Sequence, residues 1–340
     1  MGFEEVLDDK GEFIELELKR YFSCAVEEGY RYDPIIGEFY EGLQEFTLRE
    51  GKRLAAVSTL ISYEGYSGEI DDRILRVACG IEIFRHSILV HDDLVDEDDM
   101  RRGCPTLHRG LEIKYDERFG RGSAVFLGNM MFNLALRPIL NSGFSPAKTA
   151  RAVDLITAGY REVNESQILD LLFEYRSPTV EQWETMAARR AASLFRTTML
   201  AGAVLGGASR GDLEPLEDAA THIGYAFDIQ DDIIDTFASK DQYGREPCGD
   251  VLKGKKPLHI ILAVQREPDF ARLIGDPGAD VEEIRDRMVE SGALSQAKQM
   301  SMDHADRALE ALDRTEMAQG SRDFFESFLE FIKNSLEWYK

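Results

Sequence analysis

The chain has 340 residues, 44% hydrophobic and 30% charged, the balance of a globular protein with a sizeable core. Its 63 acidic and 40 basic side chains leave a net charge of −23, which disfavours nucleic acid as a partner and favours cations. Only ten prolines, and no unbroken run of about 18 apolar residues, exclude collagen-like, low-complexity and membrane-spanning architectures.

Cys24, Cys79, Cys104 and Cys248 form no C-x-x-C pair, so zinc-ribbon and thioredoxin-like sites lack support and reduced thiols are expected. The start, Met1-Gly2-Phe3-Glu4-Glu5, has no apolar leader, and Val6 stands where myristoylation wants Ser or Thr. A cytoplasmic protein is expected.

Helical periodicity dominates. Helices are predicted over 72–97, 121–142, 147–174, 180–206, 213–239, 256–267, 280–291, 294–313 and 318–338. Ile74, Leu75, Ala78, Ile81 and Leu89 set the apolar spacing in the first of these. Pro105, Pro146, Pro178 and Pro215 mark breaks at the start of the following helix. No long period-two alternation, solenoid repeat or Ser/Gly/Pro linker interrupts the pattern. The predicted fold class is all-α, with residues 1–340 as a single domain of ten to thirteen helices. Leu194 to Leu205 is apolar on more than one side, as befits a helix inside a bundle.

Six of the eight residues from Asp92 to Asp99 are acidic, at the C-terminal end of an apolar helix. Asp92 and Asp96 share a helix face, where their charges repel each other and the negative end of the helix dipole. A second cluster, Phe227-Asp228-Ile229-Gln230-Asp231-Asp232-Ile233-Ile234-Asp235, repeats that spacing with Asp231 and Asp235. A solvated acidic face is the bland alternative for either cluster alone. An EF-hand fails, because Glu97 stands where its loop needs glycine. Two such clusters fit Mg²⁺ or Ca²⁺ bridging to a diphosphate. No Walker or G-x-G-x-x-G loop offers a nucleotide cradle.

The pair of aspartate motifs, the first followed by Arg101-Arg102-Gly103, resembles the trans-isoprenyl diphosphate synthases, or polyprenyl synthetases, of the geranylgeranyl diphosphate synthase kind. The resemblance runs from about Gly51 to Lys256. It implies a large helical bundle of the isoprenoid synthase type with a central cavity, assembled as a homodimer. It also implies an enzyme that joins an allylic prenyl diphosphate to isopentenyl diphosphate. In that family up to three Mg²⁺ ions, held by both motifs, draw diphosphate from the allylic carbon. The isopentenyl double bond attacks the resulting cation, and a proton passes to the departing diphosphate.

Carried onto this sequence, Asp92, Asp93 and Asp96 match the first metal motif, and Asp231, Asp232 and Asp235 the second. Arg101 matches the arginine that grips the allylic diphosphate. Gln167, in Glu165-Ser166-Gln167-Ile168-Leu169-Asp170-Leu171, is similar to the glutamine of G-Q-x-x-D-L, expected near that diphosphate. Arg190 and Arg245 replace the lysines of K-T and G-K, which keeps the charge but turns a point ammonium into a planar fork. On the isopentenyl side Gly51, Lys52 and Arg53 match the start of G-K-R-x-R-P, Arg102 follows Arg101, and Phe227 matches the aromatic of F-Q.

Three departures fall on that isopentenyl side. Ala55 and Ala56 replace the motif's second arginine and its proline, Arg85 stands at the His or Gln position of E-x-x-H after Glu82, and Asp228 replaces the glutamine of F-Q. Two enzymatic readings follow: elongation with Arg85 offsetting the arginine lost at Ala55, or ionisation with another acceptor, as in a terpene cyclase or a diphosphate-releasing enzyme. A non-enzymatic, Mg²⁺-binding partner subunit is the third, and the intact acids of both motifs weigh against it. Product length in the family is set upstream of the first motif. Ser87 is too small to block a tunnel, Ile88 adjoins it, and Phe84 lies eight residues before Asp92, roughly 12 Å along the axis. Phe84 as a floor implies a C20 product, with C25 the longer outcome; plain core packing is its alternative. Trp183 and Trp338 read as packing or surface residues, His91 as a structural hydrogen-bonder, and Lys253, Lys255 and Lys256 as a basic patch or a solvated one. Phe324, Phe325, Phe328 and Phe331 read as core or dimer contact.

Overall fold

The computed structural model describes residues 2–239 and 247–335. Arg245 and Trp338 lie outside them. The described chain is all-α, fifteen α-helices with one short 3-10 turn and a single hairpin of two-residue strands. It divides into two compact units, Met1–Leu155 with Ala201–Ala208, and Ile156–Leu200 with Ser209–Lys340.

In the first unit α1 (Phe3–Tyr32) packs on α2 (Pro34–Leu48). Asp33 accepts from the Ile35 N–H and Pro34 supplies the fixed φ of a first helical residue, so α2 starts there. Helices α3 (Leu54–Ser67) and α4 (Asp72–Val95) are buried on almost every side, including Val57, Leu60, Ile61, Val77, Ile81 and Phe84. Asp71 starts α4 by accepting from the N–H groups of Arg73 and Ile74. Strands β1 (Met100–Arg101) and β2 (Cys104–Pro105) follow, then α5 (Leu107–Lys114) and α6 (Glu117–Leu140). Helix α6 packs on α4 and α5. Among the described residues α6 alone is long and apolar enough to cross a membrane by length and composition, and 44% of its most apolar window is buried. Reading for unbroken apolar runs does not find it, because polar residues such as Asn129 and Asn133 interrupt the pattern.

Helices α7 (Pro146–Glu174) and α9 (Ala191–Gly206) contribute residues to both units. The second unit adds α8 (Val180–Ala187), α10 (Arg210–Phe237), α11 (Gly249–Leu252), α12 (Leu258–Arg266), α13 (Val281–Glu290), α14 (Ala293–Leu312) and α15 (Gln319–Ser335). Its core gathers Trp183, Met186, Ile229, Ile233, Leu258, Phe270, Ile284 and Met288.

Four expectations need correction. The predicted helix over 180–206 is two helices, α8 and α9, broken at Ala188-Arg189-Arg190. Pro215 does not open a helix. Ser209 caps α10 by accepting from the Asp212 N–H, and Pro215 lies inside it. The helix count among the described residues exceeds the predicted ten to thirteen, because short pieces such as α5 and α11 escape a search for long periodicity. The hairpin at Met100–Pro105 is a small exception to an all-helical chain.

Candidate active site

The first acidic motif sits where α4 stops. Asp92 and Asp93 occupy the last turn, Asp96 is the C-cap, and Glu97 takes the left-handed conformation at φ 54°. The Asp98 N–H closes the turn onto the Asp93 carbonyl at 2.9 Å, a Schellman closure. Helix carbonyls and carboxylates are thus concentrated at one negative end. The hairpin then returns the chain through a two-residue turn, Arg102-Gly103, with φ of 53° and 75°. Both central residues at positive φ make the twist match that of the strands.

That turn aims two arginines differently. The Arg101 Nε donates to Asp93 Oδ1, and its Nη2 lies 3.7 Å from Asp92 and 3.8 Å from Asp98. Arg102 lies over Gly51, where an added Cβ would come within 2.6 Å of the guanidinium, so the absence of a side chain at Gly51 makes room for it. Arg102 Nη1 donates to the Arg49 carbonyl at 3.1 Å and lies 3.3 Å from His86 Nε2. His86 is fully buried, its Nδ1 2.8 Å from the Glu82 carbonyl. Burial and the nearby arginines hold it well below its ordinary pKa, so Nδ1–H donates and Nε2 accepts. Burial, and then repulsion from Arg53, Arg85 and Arg101 against the pull of Glu82, brings Arg102 down to about 10. In a chain of net charge −23 this is a concentration of positive charge.

Arg53 is buried, at φ 53°. Its Nη1 donates to the Thr47 carbonyl at 2.7 Å and meets Glu82 at 3.3 Å, while Nη2 meets the Arg49 carbonyl at 3.0 Å and Glu15 at 3.2 Å. It closes the C-terminal end of α2 and neutralises buried Glu82. Lys52 is exposed, within 4.0 Å of Glu4 and Asp8. Arg85 and Ile88 are half-buried. Phe84 is fully buried with its ring 6.3 Å from that of Phe132 on α6, and the Ser87 hydroxyl donates to the Phe84 carbonyl at 2.7 Å.

The second motif lies in the last turns of α10. Its buried carboxylates are Asp228, Asp232 and Asp235, at i, i+4 and i+7, whereas Asp231 is exposed. Gly224, one turn earlier, lets the start of α9 approach, since a Cβ there would lie 2.2 Å from Ala192 Cα. The helix break before α9 therefore delivers Arg190 onto this face. Its Nε lies 2.9 and 3.1 Å from the two Asp228 oxygens, and its Nη2 2.8 Å from Asp228 Oδ2 and 3.2 Å from Asp232 Oδ2. Asp170 of α7 is 3.7 Å from Nη1. Burial raises Asp228, and Asp232 well above the carboxylate range, while Arg190 pulls both down. Asp235 accepts from the Asp250 N–H at 3.2 Å. Phe227 packs between Phe195 and Phe328, with centroids at 5.6 and 6.2 Å. Lys256 donates to the Phe173 and Glu174 carbonyls and so caps α7, and Lys255 pairs with Asp250 at 3.6 Å.

A family model of polyprenyl synthetase matches residues 37–290. The chain belongs to the polyprenyl synthetase family. Across 270 residues it is 30% identical to a short chain isoprenyl diphosphate synthase of Methanothermobacter thermautotrophicus, covering 77% of this chain and 80% of that one. Over 248 residues it is 29% identical to a geranylfarnesyl diphosphate synthase of Natronomonas pharaonis, covering 72% and 70%. The fold is that of a geranylgeranyl pyrophosphate synthase from Corynebacterium glutamicum, solved with isoprenyl diphosphate and magnesium, with a TM-score of 0.91, 22% identity and coverage of 98% and 100%. The synthetase is a trans-prenyltransferase of isoprenoid biosynthesis, acting on prenyl diphosphates.

The donor chemistry of this synthetase fits a hard divalent cation. Both motifs offer only carboxylate oxygens, at helix C-termini where the dipole adds negative charge. Asp93 Oδ2 is buried with no hydrogen-bond partner, an arrangement that costs about 1–3 kcal/mol unless a ligand satisfies it. Burial, opposed by Arg101, pushes the Asp93 carboxyl up to about 6. Gln167 Nε2 is likewise buried without a partner.

Several participants take roles that the sequence reading did not give them. Asp228 completes the buried acidic face, and the i, i+4, i+7 spacing with Asp232 and Asp235 was the available signal. His86 follows Glu82 by one helical turn and carries Arg102. Arg49, whose carbonyl receives both Arg53 and Arg102, had no motif to mark it.

Proposed function

We propose that this synthetase elongates an allylic prenyl diphosphate with isopentenyl diphosphate in a Mg²⁺-dependent reaction. The observation that carries this reading is the arginine group around Arg102. Arg102, lowered by burial and then by Arg53, Arg85 and Arg101, sits in a group of cations that suits an anionic ligand. The group is built from residues other than the metal-motif acids, so the acceptor itself bears a diphosphate. A cyclase-like enzyme has no use for such a group. The carboxylate that Asp228 adds would repel a diphosphate if unpaired, but Arg190 neutralises it.

Asp92, Asp93 and Asp96, with Asp231, Asp232 and Asp235, would hold Mg²⁺, which stabilises the diphosphate leaving group when bound. Arg101, now on Asp92 and Asp93, is free to turn to the allylic diphosphate once those acids take another cation. Gln167 offers its buried amide N–H to the same group. Arg102, aimed by His86 and accommodated by Gly51, grips isopentenyl diphosphate with exposed Lys52 and with Arg85. Arg53 acts indirectly by fixing α2 and Glu82. Arg245 adds charge to the allylic side, and Phe227 an apolar wall to the acceptor. In the reaction the allylic C–O bond breaks, a C–C bond forms to the isopentenyl double bond, and the departing diphosphate takes the proton. An apolar cavity keeps water from the cation.

We infer a C20 product with Phe84 as the floor beneath Ser87 and Ile88, and C25 where that floor yields; the geranylfarnesyl name of one relative supports the longer outcome. Residues 1–340 as one isoprenoid-synthase domain are supported by the near-complete coverage of the Corynebacterium glutamicum fold. A homodimer is supported by the exposed apolar face of α6, with Val125, Phe126 and Leu140. Free cysteines throughout the chain fit a cytoplasmic setting. The deciding assay incubates purified protein and Mg²⁺ with geranyl or farnesyl diphosphate, with and without isopentenyl diphosphate, and reads products by mass. Longer diphosphates only when isopentenyl diphosphate is present support elongation; diphosphate release alone refutes it.

A further inference from the structure

Asp228 stands where the family pattern has glutamine, and Arg190 where it has lysine. In the second unit these two departures meet. The Nε–Nη2 edge of the guanidinium is taken bidentately by Asp228, at 2.8–3.1 Å, and Nη2 alone reaches Asp232, at 3.2 Å. The side chains of Asp228 and Asp232 are only 9% and 10% exposed, so water screens these charges little. A fixed arginine beside Asp232 competes with any metal for that carboxylate. A lysine that turned away would not.

We propose that Asp228 is a positioning residue that keeps the second aspartate motif open to Mg²⁺ by absorbing the charge of Arg190. This rests on the reading that the motif holds Mg²⁺. Three of the four hydrogen bonds of Arg190 to carboxylates go to Asp228, and the pair is neutral as a unit. Asp232, which keeps only one hydrogen bond from Arg190, then retains charge for a cation, with Asp170 at the margin. The planar fork places two nitrogens, Nε and Nη2, on Asp228 and leaves only a share of Nη2 for Asp232, whereas an ammonium would divide one nitrogen between the two carboxylates. The arginine is accordingly committed to its neighbours and is not the grip on the allylic diphosphate that a lysine at this position implies.

Calorimetric titration of the intact protein with Mg²⁺ alone, and with Mg²⁺ plus inorganic diphosphate, tests this. Asp228→Asn leaves Arg190 with Asp232 and Asp170 as its full counter-charges and is expected to weaken Mg²⁺ binding about tenfold. Arg190→Gln removes the competitor and is expected to tighten Mg²⁺ binding several-fold. The double variant Arg190→Gln/Asp228→Asn, which removes a neutral pair, is expected within about threefold of wild type. A merely structural ion pair would not move the two single variants in opposite directions, and either single variant alone answers if the other fails to fold. Unchanged Mg²⁺ affinity in both single variants overturns the proposal. So does weaker binding in both, or an Arg190→Gln variant that binds Mg²⁺ normally but loses inorganic diphosphate. Absence of Mg²⁺ binding in wild type overturns the metal reading itself, whereas normal binding without elongation overturns only the elongation reading.

Discussion

Arg53 separates two views of the isopentenyl side, because the structure gives it neighbours other than a ligand. Its side chain is 1% exposed and spends its fork on the Thr47 and Arg49 carbonyls, Glu82 and Glu15. Arg53→Met removes the counter-charge from Glu82, itself only 2% exposed. Breaking a buried pair from one side costs about 3–5 kcal/mol. With an unfolding entropy of roughly 2.1 cal/mol/K per residue, the 340 residues melting together lose about 4–7 °C in Tm. Arg53→Met/Glu82→Leu removes both charges and should recover at least about 2 kcal/mol of that loss, with the remainder belonging to the two unsatisfied carbonyls. Scanning calorimetry on wild type, both single variants and the double measures the coupling. An Arg53→Met variant with unchanged Tm and a raised KM for isopentenyl diphosphate would refute the reasoning, since it would show the guanidinium facing substrate.

Other outcomes follow from the same geometry. Gly51→Ala places a Cβ 2.6 Å from the Arg102 guanidinium and should raise the KM for isopentenyl diphosphate about 5- to 20-fold, roughly 1–2 kcal/mol, with Tm nearly unchanged; an unchanged KM would detach Arg102 from the acceptor. Phe84→Ala should lengthen the product and cost about 3–5 kcal/mol of stability, and unchanged product length by mass would refute the floor. Burial, and then repulsion from His222 at 2.8 Å, brings His304 down to about 4. The unfolded state then binds the extra proton, so stability is full above about pH 6.5, falls as pH drops towards 4, and loses about 2–3 kcal/mol across that window. Urea midpoints at several pH values should show a shallower slope for His304→Phe, and an identical slope would exclude this pair as a source of acid sensitivity.

The long helices and both acidic runs were legible because their signals are local. Apolar spacing gives α4, α10 and α14 within a few residues, and Pro146 marks the start of α7. The break at Ala188-Arg189-Arg190 was not legible. Its cause is the close approach of α10 at Gly224, a packing fact that a run of helix-forming residues does not announce. The same holds for Asp228. Sequence order marks it as an added charge, but only the fold shows Arg190 beside it. Arg53 is the converse case, since its motif was readable while the inward turn of its side chain depends on Glu82, twenty-nine positions later.

Arg53 and Arg102 both occupy the left-handed backbone region, at φ 53°, where arginine has no natural advantage. Glycine or asparagine would be more comfortable there by about 1 kcal/mol at each site. At Arg53 the buried pair with Glu82 outweighs that gain, so a stabilisation campaign that selects only for heat resistance will be drawn to codon 102, where it will trade the acceptor grip for a relaxed backbone. Thermostable offspring that still ionise the allylic substrate yet no longer extend it would carry that signature.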